Sequence, residues 1–192
     1  MALKNLSRLY LWSLAGALAY TYGGNARCAD TDAELRKATA AFYRVYLEAR
    51  PSGVPHSRAR VKFVPVISRT LEQLLEHAEA AERHYAKVTK RQVPPLVEGD
   101  IFTSLFEGAQ AFALERCERG TAATTCTVAL RHGPSGDKNT VNWTDKVYLV
   151  RHNGRWLVDD IEFGGNWQFM HKGHLRDLLR RIIRDGKNEL PK

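Results

Sequence analysis

The chain has no glycine-rich phosphate loop, no nucleophile elbow and no histidine–cysteine spacing suited to zinc. Phosphoryl transfer on such a loop, elbow-type serine hydrolysis and a zinc centre therefore lack their usual residues, and neither a cofactor nor a metal is expected. No recognisable nucleic-acid module occurs, so nucleic acid is not an expected partner. Long apolar runs are scarce too. The uncharged stretch "LYLWSLAGALAY", Leu9 to Tyr20, falls short of the roughly 20 residues that a permanent membrane-spanning helix needs.

That short run follows Lys4 and Arg8 and precedes the small residues of "TYGGNAR", the order of a positively charged and then apolar export signal. A signal segment is expected over residues 1–26, with cleavage between 19 and 29: after Ala19, or nearer Ala26 or Ala29. Lipid anchoring at Cys28 is disfavoured, because Arg27 stands where a lipoprotein signal needs a small residue. About 165 residues remain, enough for one core, and a single domain is expected over 30–186 with a tail at 187–192. The formal charge of +8 falls to about +6 without Lys4 and Arg8. Such an excess chiefly serves solubility and also favours weak contact with anionic envelope surfaces.

Cysteine is sparse, at positions 28, 117 and 126. "AFALERC" and "CTVALRH" read as two strands joined by a polar loop, in a register that sets Cys117 opposite Cys126. Facing residues at a non-hydrogen-bonded pair lie about 4.5 Å apart at Cα, close enough for a disulfide, and an exported protein would meet oxidising conditions.

The apolar pattern is helical first and strand-like later. A capping box from Thr31 to Glu34 predicts a helix with Leu35, Ala38, Phe42, Val45, Tyr46 and Ala49 on one face, ending before Pro51. A second start signal, Thr70 to Gln73, predicts a longer helix to about Lys90, on which His77 and His84 are expected in solvent. In "VEGDIFTSLFEG", Asp100 reads as the N-cap of a short helix that buries Ile101, Phe102, Leu105 and Phe106 and stops at Gly108. Asn153-Gly154 predicts a two-residue hairpin turn. Its register pairs Arg151 with Trp156, Leu149 with Val158 and Val147 with Asp160, and, on the opposite side, Val150 with Leu157 and Tyr148 with Asp159. Both faces of this hairpin carry apolar groups, so both are expected to be at least partly covered. "HLRDLLRRIIRDG" predicts an amphipathic helix docked on the core through Leu175, Leu178, Leu179, Ile182 and Ile183.

Three stretches, "AAFYRVYLEA", "PPLVEGDIFTSLFEG" and "RWLVDDIEF", together with the order of helices before an antiparallel meander, resemble the nuclear transport factor 2-like superfamily. More narrowly, they resemble a family of exported bacterial proteins of unassigned activity within it. The resemblance spans about Ala33 to Phe163. It implies an α+β fold, N-terminal helices packed on a curved antiparallel sheet shaped as a cone around a pocket. The superfamily includes isomerases and dehydratases alongside non-catalytic binding domains, so the fold does not select the function.

Two stretches carry the candidate site. Asp100 stands at the mouth of such a cone. Asp159 and Asp160 are adjacent on a strand, so one of them should point inward among apolar groups, where burial raises its pKa and Tyr148 opposite can donate a hydrogen bond. Trp156 adds an aromatic wall. The leading expectation is an exported, periplasmic, non-catalytic binding domain for a small apolar ligand or a protein partner, such as an inhibitor or antidote of an envelope-acting protein. The alternative is an isomerase- or hydrolase-like enzyme using a pocket aspartate with Tyr148.

Overall fold

A computed structural model describes residues 24–188, with side chains from Asp32 to Lys187. The apolar run of the expected export signal, and the last four residues of the expected tail, lie outside the described residues. The fold is α+β, four helices and a four-stranded antiparallel sheet. Helix α1 spans Gly24–Ala49, α2 Ser57–Phe63 and α3 Arg69–Val88. The strands β1 (Ala111–Arg119), β2 (Thr124–His132), β3 (Val141–His152) and β4 (Arg155–Glu162) follow as a meander in sheet order β1-β2-β3-β4, and α4 (Leu175–Asn188) closes the chain. No described helix is long and apolar enough to cross a membrane.

Helix α1 runs upstream of the expected capping box, so Thr31 is not its start. Ala26, Arg27 and Ala29 favour helix and no proline interrupts them. The helix ends where Arg50 turns to a φ of 41° ahead of Pro51. It buries Leu35, Phe42 and Tyr46 of the face expected for it, together with Thr39 and Tyr43, which were not expected there, and leaves Ala38, Val45 and Ala49 half-buried. Helix α3 begins one residue earlier than Thr70 and is capped by Ser68, whose hydroxyl accepts a hydrogen bond from the Leu71 amide at 3.0 Å. Helix α2 was not expected. It is only seven residues long and has one buried residue, Phe63, too few for a helical period to register.

The Cys117–Cys126 disulfide is present, between residues paired across β1 and β2 with Cα atoms 4.0 Å apart. Closing a loop with a sequence separation of 9 contributes roughly 2.5 to 3 kcal/mol in the chain-entropy account. The β3–β4 turn has φ of 48° at Asn153 and 78° at Gly154, as its type requires.

Beyond Leu149 and Val158 the expected β3–β4 register fails. A bulge makes Asp159 an extra residue on β4, so Tyr148 pairs with Asp160 rather than Asp159, and Val147 with Ile161 rather than Asp160. The slip keeps Ile161 on the buried face beside Val147, where a strict alternation would have put Asp160. That face is continuous: Cys126, Val128 and Leu130, then Trp143, Asp145, Val147 and Leu149, then Val158 and Ile161, all under 9% exposed. The other face is partly covered, with Tyr148 and Leu157 half-buried and Val150 38% exposed.

Against the buried face the side chains of α1 and of the 100–109 segment form an aromatic core. Phe102 stacks on Phe63 at 4.8 Å between centroids and meets Phe42 edge-on at 5.7 Å, while Tyr43 stacks on Phe112 at 5.2 Å. The final helix buries Leu175, Leu178, Leu179 and Ile182 and leaves Arg180, Arg181 and Arg184 exposed.

Candidate functional site

The segment expected as a short helix is a loop. Two carboxylates take the amide groups that a helix would leave free. Asp100 accepts from the Phe102 amide at 3.0 Å, and Asp145 from the Ser104 amide at 3.0 Å. Gly99 and Gly108, at φ of 73° and 77°, let the loop close on itself, with the Asp100 amide bonded to the Phe106 carbonyl at 2.7 Å. Glycine is also required by space at Gly108, where a Cβ would stand 2.6 Å from the Tyr46 hydroxyl.

Asp100 is 4% exposed. Its Oδ2 accepts from the Tyr46 hydroxyl at 3.0 Å and from Thr103 Oγ1 at 2.5 Å. Burial pushes its carboxyl up to about 7, against three hydrogen bonds that lower it. Tyr46 is pushed well above the usual phenol range, by burial first and by Asp100 second. A half-buried His171 donates from Nε2 to the Asp100 carbonyl at 2.6 Å, and burial lowers its pKa. Outside this knot Asp100 and Tyr46 border an open cleft of about 400 Å³ with Arg50, Glu107 and the exposed Phe106.

Asp145 was missed as a site residue. It is 1% exposed and accepts four hydrogen bonds, from the Ser104 amide and hydroxyl, Trp143 Nε1 at 3.1 Å and the Gly164 amide at 2.9 Å. Burial raises its pKa, opposed by these same donors. The signal lay in the strand period: Trp143, Val147 and Leu149 alternate inward, and Asp145 stands on the same row.

Asp159 and Asp160 do not point to opposite faces in the sense expected. The bulge turns both toward the start of α4. Asp159 accepts from Arg176 Nη1 at 2.7 Å and from the Ser68 hydroxyl at 2.5 Å. Asp160 accepts from the amides of Arg176 at 3.0 Å and of Ile161 at 2.9 Å, with His174 Nδ1 3.1 Å from its other oxygen but not aligned as a hydrogen bond. Burial raises the Asp160 pKa. Tyr148 bonds neither aspartate; its hydroxyl donates to Glu162 at 2.7 Å, which pushes the phenol up to about 12. The cluster ties β4 to the first turns of α3 and α4, with cations and amides occupying the carboxylates.

Trp156 lies apart from both groups. It lines a cavity of about 250 Å³ at the end of the sheet's buried face, where Ala38 and Ala41 of α1 and Pro65 and Val66 supply the apolar walls. Glu34, Lys37 and Arg155 stand at its border. The guanidinium groups of Arg119 and Arg151 sit over the indole at 5.9 and 5.8 Å from the ring centroid. The indole Nε1 is buried and has no hydrogen-bond partner among the described residues. The five expected site residues therefore fall at three separate places.

No protein-family model, curated protein or solved structure matches the chain. Among the described residues no group of three histidine, cysteine or acidic side chains is placed to hold a metal ion. His77 and His84 are exposed on α3, as expected. Chemically, Asp145 accepts four hydrogen bonds and Asp100 three from their own chain, whereas the Trp156 cavity joins apolar walls to cations.

Proposed function

We propose that the protein is an exported, non-catalytic domain that binds a small, largely apolar ligand in the cavity beside Trp156. The observation that carries this reading is the contrast between the cavity and the acids. Asp100, Asp145, Asp159 and Asp160 each accept two or more hydrogen bonds from their own chain, while Ala38, Ala41, Pro65 and Val66 face open space. Helices followed by a four-stranded meander support the cone-shaped fold that the resemblance implied, with the cone's interior filled by Phe42, Tyr43, Phe63 and Phe102. The disulfide supports an oxidising destination.

Expression of the full chain in a bacterium should yield a periplasmic protein whose mass corresponds to loss of a segment ending between residues 19 and 29. Heat unfolding of that protein should shift upward by several degrees with small apolar fragments at saturating concentration. Ala41→Leu, which fills the cavity from a half-buried position on α1, should abolish the shift without lowering the Tm of the free protein. Retention in the cytoplasm at full length would end the export reading. An unchanged fragment response in Ala41→Leu would end the cavity reading.

One observation favours a second reading, acid–base chemistry of the isomerase or hydrolase kind. Asp100 is held near 7 on the wall of an open cleft, a pKa suited to proton transfer at neutral pH. Its carboxylate retains one unused acceptor position, on Oδ1.

A further inference from the structure

Resting on the binding reading, we infer that the ligand of the Trp156 cavity is an anionic amphiphile, a medium-chain carboxylate whose tail lies against the apolar walls and whose head meets Lys37 and Arg155. Two cations, Lys37 and Arg155, line the cavity, while Arg119 and Arg151 lie outside the lining, over the Trp156 ring. Among the described residues none of the four pairs with a carboxylate, although Arg36, Arg60, Arg69, Arg83, Arg176 and Arg180 do. Arg155 spends one nitrogen on the Pro65 carbonyl at 3.0 Å, which fixes the guanidinium at the rim. Glu34 is the single acid in the lining and is exposed.

Two cations without a carboxylate partner in the lining, against the single acid Glu34, attract an anion and disfavour a cation. The Arg155 guanidinium, held at one nitrogen by the Pro65 carbonyl, keeps further N–H donors for a carboxylate. The space of about 250 Å³ is open to solvent, so a medium chain such as that of octanoate can lie in it with its head at the border.

Calorimetric titration of the purified protein with octanoate, 1-octanol and octylammonium decides the matter. Octanoate should bind at least about tenfold tighter than octanol, from charge-assisted hydrogen bonds, and octylammonium should bind weakest. In K37Q/R155Q, where both changes fall on exposed positions, the octanoate preference should collapse toward the affinity of octanol. Equal affinity for octanoate and octanol, or a preference for octylammonium, would overturn the anionic class and leave the binding domain standing. So would a full octanoate preference in the double variant, since Lys37 and Arg155 would not be the reader. Binding of none of the three would overturn the inference and remove the cavity reading with it.

Discussion

Asp145→Ala is expected to lower the unfolding free energy by roughly 3–5 kcal/mol at pH 7, because one acceptor shared by four neutral donors is removed. Four donors lose their acceptor at once: the Ser104 amide and hydroxyl, Trp143 Nε1 and the Gly164 amide. Each buried donor left unpaired costs about 1–3 kcal/mol, partly offset because a desolvated carboxylate also disappears. The damage should spread. The Ser104 hydroxyl also accepts from the Gly165 amide at 3.0 Å, and the Gly164 backbone lies so close to β3 that a Cβ there would meet the Thr144 carbonyl at 2.2 Å. Asp145 thus joins three parts of the fold: the 100–109 loop, the sheet and the chain leading to α4. Against a total of about 5–15 kcal/mol for an ordinary domain, such a loss leaves little. Asp145→Asn, which keeps one acceptor oxygen, should cost less. Urea denaturation of the three proteins is the measurement, and an alanine variant within 1 kcal/mol of the parent would show that these bonds do not hold the loop.

The second large effect is a pH dependence set by Asp100. Its folded-state pKa of about 7 lies above the 3.8 of a free aspartate. A carboxyl raised in this way contributes its stability fully below the unfolded pKa, and the contribution is lost as pH rises through the folded value. About three units at 1.36 kcal/mol each correspond to roughly 4 kcal/mol lost between pH 4 and pH 8. Asp145, Asp160 and Glu82 are shifted in the same direction and His171 the other way, so the parent curve alone does not isolate Asp100. The difference between the parent and Asp100→Asn does. The amide cannot ionise, and its NH2 can donate to the Tyr46 and Thr103 hydroxyls that now donate to the carboxylate. The variant should therefore gain on the parent by roughly 4 kcal/mol across that window. Parallel curves would mean that Asp100 titrates as an ordinary surface acid.

These two residues show what the sequence could and could not convey. Asp100 was legible as a residue that satisfies backbone amides, because a short acid between Gly99 and a run of apolar residues has few other uses. The expected helix did not form because the acid that completes the loop, Asp145, is 45 positions away in number, and no local pattern reports so distant a pairing. The β3–β4 turn was legible from Asn153-Gly154 alone, since both residues tolerate a positive φ. The bulge was not. Asp159 and Asp160 have the same local propensity, and what decides between them is the inward demand of Ile161 and the cations that α4 brings to the strand. The disulfide was legible because a short hairpin leaves one symmetrical register. The Trp156 cavity joins α1, the segment before α3 and the β3–β4 turn, three stretches separated in sequence, and only the tryptophan itself had been singled out.

The central claim is that the aspartates build the fold while the Trp156 cavity receives the ligand. Amide and indole NMR shifts of the isotope-labelled protein, followed during titration with small apolar fragments and octanoate, test it most directly. The account predicts that the shifts concentrate at the Trp156 indole N–H and the amides of Ala38, Ala41 and Val66, with Gly99 to Gly108 unmoved. Shifts that instead cluster on Gly99, Asp100, Phe106 and Gly108, with Trp156 silent, would contradict it and move the site to the Asp100 cleft.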